Sequence, residues 1–441
     1  MAYLQRAGIA RKLGSGLIAR ALVLPFAFFA LMHLPIESRA HAADAKSCDG
    51  NAGLTLPKGF CATIFADHVG APRHMAVAPD GTVYVNNRNR KPSPGGSLLA
   101  LKDSNGDGNA DIIERFGPAD GGGTGIAIYK NGLFVDLGDK IVRYDLTPGD
   151  IAPKGKPETV VSDIPVNGDH KSRPFSIDPK GNLFVDLGSA TNSCQQDNRA
   201  EESPGIDPCE ELKTHAGIWR FDANKTGQVF SPAERYATGL RNAAGIDFDD
   251  AGRVFATQHG RDQLYENWPK LYSSQQGTDQ PAEVLVALQE GGDYGWPYCY
   301  YDGIQQKNVL APEYGGDGGK AVGRCAEKLP PVAAFPGHWA PNDLAIYKGK
   351  AFPETYRGGA FIAFHGSWNR SSGPQQGYNV VFQPLEAGKA SGPYSIFADG
   401  FRDGDPKGVE HRPTGLAVGP DGALYVSDDA AGRIWRIAYN G

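Results

Sequence analysis

The stretch His74-Met75-Ala76-Val77-Ala78-Pro79-Asp80-Gly81-Thr82-Val83-Tyr84-Val85-Asn86-Asn87 decides the fold. Its apolar residues alternate on either side of a tight Pro-Asp-Gly turn, the pattern of two antiparallel strands joined as a hairpin. The same phrase returns as GIAIYKNGLFVDLG from Gly125, FSIDPKGNLFVDLG from Phe175 and GIDFDDAGRVFATQ from Gly245. It returns again as DLAIYKGKAFPETY from Asp343 and GLAVGPDGALYVSD from Gly415. A unit of this kind cannot bury both of its faces alone, whereas six in a ring bury them against each other. The expected fold is therefore all-β, a six-bladed β-propeller, with an open sandwich of similar hairpins as the alternative. The longest insertion, from about Leu264 to Pro341, is expected to form an elaborated loop on one face.

Composition agrees. The 441 residues include 58 Gly and 32 Pro, about a fifth of the chain, which excludes a helical bundle or coiled coil. Gly has no fixed period, so collagen is excluded, and 40% hydrophobic residues is too many for a disordered chain.

Residues 1–42 read as a signal peptide. Arg6, Arg11, Lys12 and Arg20 precede an uncharged apolar run from Ala21 to Leu34, and Ala40-His41-Ala42 follows as a small-x-small cleavage site. The run is too short to span a bilayer comfortably. The expectation is a periplasmic or secreted protein cut near Ala42, with residues 43–441 forming one propeller domain and no membrane insertion. Without the leader the charged residues number 39 basic and 49 acidic. That balance disfavours nucleic acid and anionic lipid as partners. The six cysteines all follow the cleavage point and fall in three close pairs, Cys48 with Cys61, Cys194 with Cys209 and Cys299 with Cys325. An even count in an oxidising compartment reads as disulfides, and short loops close most readily.

Two constellations carry chemistry. In Asp103-Ser104-Asn105-Gly106-Asp107-Gly108-Asn109-Ala110-Asp111-Ile112-Ile113-Glu114, oxygen-bearing side chains stand at positions 1, 3, 5, 7, 9 and 12, with Gly at 6. Asp103, Asn105, Asp107, Asn109, Asp111 and Glu114 are thus candidate ligands of a structural Ca²⁺. The second set sits at equivalent places in successive repeats: His170, Arg241-Asn242, Gln258-His259-Gly260, His365 and Arg412. Equivalent positions of a propeller lie on one face, so these groups should converge near the central channel. Several cationic heads there suit a planar, multiply anionic ligand.

At these residues the chain resembles the soluble pyrroloquinoline quinone (PQQ)-dependent sugar dehydrogenases, and among them the sorbosone dehydrogenase-like, or aldose dehydrogenase, branch. The resemblance rests on Gly239-Leu240-Arg241-Asn242-Ala243-Ala244-Gly245 and Ala256-Thr257-Gln258-His259-Gly260-Arg261-Asp262. Leu56-Pro57-Lys58-Gly59-Phe60, Asp293-Tyr294-Gly295-Trp296-Pro297 and Arg412-Pro413-Thr414-Gly415 support it. It implies a six-bladed propeller holding PQQ and Ca²⁺, a sugar substrate and a separate electron acceptor. It also implies His170 as the base, with Arg241, Asn242, Gln258, His365 and Arg412 as cofactor contacts. The backbone carbonyls around His259 and Gly260 match ligands of a site calcium. Two positions depart from the glucose dehydrogenase pattern. Ser189 stands where an acidic residue orients the catalytic His, and His365 stands where a Lys meets the cofactor. Two other readings remain open at this point: a calcium-dependent lactonase-type hydrolase, and a non-enzymatic interaction propeller of the NHL type.

Overall fold

The computed structural model describes residues 50–88, 91–402 and 411–441. The expected leader at 1–42 and Cys48 lie outside them. Contacts divide the chain into Met1–Ala45 and Lys46–Gly441, and the second unit is the one described below.

Six sheets follow one another in sequence, each running from an inner strand outward through four antiparallel strands, with a short parallel fifth strand added at the outer edge of blades two and three. The inner hairpins are Pro72–Val77 with Val83–Asn87, Ile126–Tyr129 with Gly132–Asp136, and Phe175–Ile177 with Asn182–Leu187. They continue as Ile246–Phe248 with Val254–Gln258, Pro341–Ile346 with Ala360–His365, and Pro413–Val418 with Leu424–Asp428. These are the six copies read from the sequence. The ring closes through the sixth blade, whose outermost strand is Phe60–Ala66 from the start of the domain, paired antiparallel with Arg433–Tyr439 at its end.

In four of the six copies the turn has one construction. The amide of Gly81 donates to the Ala78 carbonyl, as Gly181 does to Asp178, Gly252 to Asp249 and Gly422 to Gly419, each at 2.9 Å. All four glycines have φ between +78° and +89°, the left-handed region that favours glycine. A second glycine of the repeat serves close approach instead. A Cβ on Gly125 would lie 2.4 Å from the Arg173 carbonyl oxygen of the next blade, and one on Gly415 would lie 2.2 Å from that of Arg73.

Each junction between blades has its own apolar core. The unbroken run Leu98-Leu99-Ala100-Leu101 shows why. Successive side chains of a strand point to opposite faces. Leu99 and Leu101 therefore pack toward Tyr425 and Ile434 of blade six, while Leu98 and Ala100 pack toward Leu133 and Val135 of blade two.

The Leu264–Pro341 segment corrects one expectation. It is not a single loop, because the third and fourth strands of blade four, Glu283–Ala287 and Ala333–Phe335, lie within it. Around them are two short helices, Leu264–Asn267 and Ser274–Asp279, and a hairpin of Cys299–Asp302 with Lys307–Leu310. Disulfides join Cys194 to Cys209 and Cys299 to Cys325, as the spacing predicted. Among the described residues no helix is long and apolar enough to cross a membrane.

Candidate active site

The start of an inner strand and the end of the strand paired with it lie at the same edge of a blade. Residues entering the first and leaving the second therefore reach one face of the ring. His170, Arg241 and Arg412 precede inner strands, whereas Gln258-His259, His365 and Ser189 end or follow second strands. The topology thus brings the expected residues of the second constellation to one face, in two connected clusters.

The first cluster surrounds His170 and Arg241. His170 Nδ1 lies 2.9 Å from the Ser189 carbonyl oxygen and 3.0 Å from Ser189 Oγ. A carbonyl only accepts, and the Ser189 hydroxyl already donates to the Thr191 carbonyl at 2.6 Å. The proton therefore sits on Nδ1, and Nε2 carries the free lone pair. Burial, then the nearby Arg241 guanidinium, holds the His170 pKa well below its ordinary value, so the ring is neutral at neutral pH. Asp169, the carboxylate next to His170 in sequence, pairs with Arg199 at 3.2 Å. A Cβ on Gly188 would lie 2.5 Å from His170 Cβ and 3.2 Å from Asn242 Oδ1, so only glycine lets these two residues close on each other.

Arg241 is 2% exposed and fully engaged. Its Nε donates to the Asn192 carbonyl at 3.0 Å, Nη1 to the Gly260 carbonyl at 2.8 Å, and Nη2 to Asn192 Oδ1 at 2.9 Å and Asp262 Oδ2 at 2.8 Å. Its own amide donates to Gln258 Oε1 at 3.0 Å. Burial alone would raise the Asp262 carboxyl, but Arg241 and then Arg199 overcome that and hold it ionised. Beneath the Gln258-His259-Gly260 turn lies Glu283, which accepts from the amides of Gly260 at 2.9 Å and Ala340 at 3.2 Å. Burial pushes its carboxyl up to about 8.

The second cluster joins His365, Asp429, Arg73 and Arg412. His365 Nε2 lies 2.8 Å from Asp429 Oδ1, and Arg73 pairs with the other oxygen of that carboxylate. Burial outweighs the bond to Asp429 and lowers the His365 pKa, so its ring donates as a neutral group. The Arg412 guanidinium hydrogen-bonds to carbonyls, from Nε to His365 at 3.0 Å and from Nη2 to Gly366 at 2.8 Å, and lies over the Tyr378 ring, while the Arg412 amide donates to Asp428 Oδ1 at 2.8 Å. Among the described residues no carboxylate pairs with the guanidinium, and Arg73 Nε is buried without a partner. His259 connects the clusters, since its ring feels both Arg241 and His365.

Asn192, Asp262, Asp429 and Arg73 were absent from the residues singled out in the sequence. Asp429 could have been found by completing the repeat alignment, because it follows a second strand as His259 does, whereas Arg73 stands within its inner strand at the place that Thr414 takes in the sixth copy. Asn192 belongs to an insertion between strands and carries no repeat signal.

The Asp103–Glu114 loop is far from this face in the chain's architecture, between the third and fourth strands of blade one. Asp103 accepts from the amides of Gly106 at 2.7 Å and Gly108 at 2.8 Å, Asn105 from Asp107 at 2.9 Å, and Asp107 from Asn109 at 2.8 Å. Asp111 accepts from the Ser104 amide at 2.6 Å, and Glu114 is exposed on the following strand. Among the described residues the single trio of His, Cys or carboxylate groups close enough to share an ion is Cys194, Cys209 and Glu211, whose two sulfurs are bonded to each other.

Comparison with known proteins now places the chain. A family profile described as TrAA12-like matches residues 54–440. The chain belongs to the TrAA12-like family. An uncharacterized protein of Borreliella burgdorferi is 25% identical to this family member over 397 residues, covering 88% of this chain and 91% of that protein. A PQQ-dependent pyranose dehydrogenase of Coprinopsis cinerea is 29% identical over 237 residues, covering 45% of this chain and 30% of that protein. The holo form of the PQQ domain of Coprinopsis cinerea pyranose dehydrogenase shares the fold, with a TM-score of 0.71 at 22% identity, covering 87% and 97% of the two chains. The calcium structure of the Trichoderma reesei AA12 protein gives 0.70 at 18% identity, covering 88% and 97%. The kinship with PQQ-dependent sugar dehydrogenases expected from the sequence is borne out at this level, without singling out the sorbosone dehydrogenase-like branch.

The buried histidines give this TrAA12-like protein a defined response to acid. Burial lowers the pKa of both His74 and His259 to about 3, against an unfolded value of about 6.5. Their contribution to stability is therefore complete above pH 6.5 and is lost as pH falls toward 3. Asp136 and Asp186, raised by burial to about 6 and about 7, give the opposite slope. His74 itself donates to the Asn342 carbonyl at 2.9 Å and faces Asp343 Oδ1 at 3.6 Å, a carboxyl that burial raises well above its ordinary range. His74→Gln can keep the bond to Asn342 without titrating. Its melting temperature should fall less than that of the wild type between pH 7 and 4, which calorimetry at stepped pH will measure. Parallel declines would show that His74 does not contribute.

Proposed function

We propose that this protein is a PQQ- and Ca²⁺-dependent dehydrogenase that oxidises a sugar hydroxyl or hydrated aldehyde outside the cytoplasm, periplasmic or secreted, and passes the electrons to a separate acceptor. The observation that carries this reading is His170: a neutral imidazole with its proton fixed on Nδ1 and a free Nε2, beside a guanidinium. Such a group takes a hydroxyl proton at neutral pH.

The residues present fit the cofactor. Among the described residues, Arg73, Arg88, Arg199, Arg241 and Arg412 outnumber Asp169, Asp262, Asp428 and Asp429 around the site, and the hydrogen bonds of the Arg412 guanidinium go to carbonyls. That surplus of positive charge suits a planar tricarboxylate, with Arg412 binding a carboxylate and Arg241, Asn242, Gln258 and His365 contacting the ring system. PQQ, when bound, supplies the hydride-accepting quinone carbonyl. The protein's share is orientation, proton removal at His170 Nε2, and positive charge from Arg241 where negative charge develops. The carbonyls of His259 and Gly260 are the proposed ligands of a site calcium; that of Gly260 is also held by Arg241, so the cation and the guanidinium would share it.

The test is reconstitution. Purified protein given PQQ and Ca²⁺ should reduce a dye in response to sugars. Turnover without PQQ, or none with a broad sugar panel, overturns the reading in favour of a hydrolase or an interaction propeller.

A second, structural Ca²⁺ is proposed at Asp103–Glu114. Its side chains and backbone already form a compact turn, and a cation would draw the same oxygens inward. Asp107→Ala should lower the melting temperature measured in calcium and leave the PQQ titration unaltered. Melting that ignores chelator in both proteins would reduce the loop to a turn.

A further inference from the structure

The indole of Trp368 is 63% exposed. Single exposed apolar side chains are common on protein surfaces, so exposure alone means little. Position gives it meaning here. Trp368 lies on the segment joining Ala360–His365 to Tyr378–Gln383, and the residues on either side of it reach the two halves of the site. The Ser367 carbonyl accepts from Tyr378 Oη at 2.6 Å, and the Gly366 carbonyl from Arg412 at 2.8 Å. Asn369 Nδ2 donates to Asp262 Oδ1 at 2.8 Å, the carboxylate that pairs with Arg241.

The segment is not loose. Ser367 and Gln376 exchange two bonds of 2.8 Å, from the Ser367 amide to the Gln376 carbonyl and from the Gln376 amide to Ser367 Oγ. Farther on, the Ser372 amide donates to Thr278 Oγ1 at 2.7 Å. A large ring is therefore held in water on a fixed backbone, on a segment whose neighbouring residues reach Arg412 on one side and Asp262, the acid that fixes Arg241, on the other. Trp219, Trp296, Trp339 and Trp435 are all buried, so this placement is a property of the position.

We propose that Trp368 is the platform on which the sugar ring stacks, and that it makes the site prefer pyranoses to small aldehydes. This rests on the sugar-oxidising reading above. A pyranose presents ring C–H groups on one face and hydroxyls at its rim. An exposed indole meets the first with a flat apolar surface and leaves the second to polar neighbours.

The experiment compares wild type, Trp368→Ala and Trp368→Phe after loading with PQQ and Ca²⁺. Trp368→Ala should raise KM for a pyranose about tenfold or more and change kcat less than threefold. KM for glyceraldehyde and for the dye should stay constant, and Trp368→Phe should recover most of the loss. An unchanged pyranose KM overturns the proposal. So does a rise confined to the dye, which would make Trp368 a docking point for the electron acceptor. A second readout needs no turnover: titrating cofactor-free protein with sugar should change tryptophan fluorescence in the wild type and not in Trp368→Phe. If no variant oxidises sugar, the dehydrogenase reading fails, and the fluorescence titration still decides whether Trp368 binds sugar; no response there overturns it as well.

Discussion

Replacing His170 by alanine should slow sugar-dependent reduction of bound PQQ by about 10²–10⁴-fold, the usual contribution of a positioned base, while PQQ still binds. The ring makes its anchoring bond through Nδ1 to the Ser189 backbone carbonyl, so alanine removes one imidazole and leaves the blade strands intact. The pH profile should carry the same signature. Because burial and Arg241 hold the His170 pKa well below the ordinary 6.5 or so, the base stays neutral across neutral pH. The rate should be flat there and fall only as pH drops toward that lowered pKa. Ser189→Asp would put a carboxylate against Nδ1, raise the pKa and move the acid limb upward. Single-turnover absorbance of the bound quinone measures both variants. Near-normal reduction by His170→Ala, judged per folded and loaded molecule, would make His170 a structural residue and shift the role to His365.

The missing acidic partner shows where sequence and structure divide. Ser189 was legible as a departure from the glucose dehydrogenase pattern. What orients the ring is the Ser189 carbonyl with the hydroxyl oxygen beside it, and the first of these any residue type at 189 supplies. A main-chain acceptor leaves no mark in a side-chain pattern. The blades, by contrast, were legible because their cause is local and repeated. The two-residue alternation recurs with each copy, the glycine turn with four and the close-approach glycine with three, and together they specify the ring. The Leu264–Pro341 segment was misread as one loop because Glu283–Ala287 and Ala333–Phe335 are short and separated by a hairpin with its own disulfide. Asn192 escaped for a related reason. It sits in the insertion that the Cys194–Cys209 bridge closes, and it reaches Arg241 through one side-chain oxygen and one carbonyl, a contact set by the loop's path.

Arg241→Ala is the other substitution with a large expected effect, and it acts on stability and chemistry together. It strips Asp262 of a buried partner and takes the guanidinium donor from the Gly260 carbonyl, while the Asn192 carbonyl keeps the Trp296 indole N–H at 3.1 Å. Breaking a buried ion pair by removing one member costs about 3–5 kcal/mol, and Arg199, still 3.0 Å from Asp262, should keep the loss near the lower figure. The quinone-reduction rate with saturating PQQ should also fall, by about 10²–10³-fold, as when one preorganised donor is removed from a site of developing negative charge. Lysine should not rescue either loss, since one ammonium cannot serve the four acceptors that the guanidinium fork reaches. The two effects can be separated by pairing Arg241→Ala with Asp262→Asn, which removes the stranded charge. If urea denaturation shows stability recovered while reduction stays slow, the positive charge acts on the reaction itself. Recovery of the rate along with stability would mean that Arg241 serves only to neutralise Asp262, and the stabilising charge would then have to come from the cation proposed at the His259 and Gly260 carbonyls.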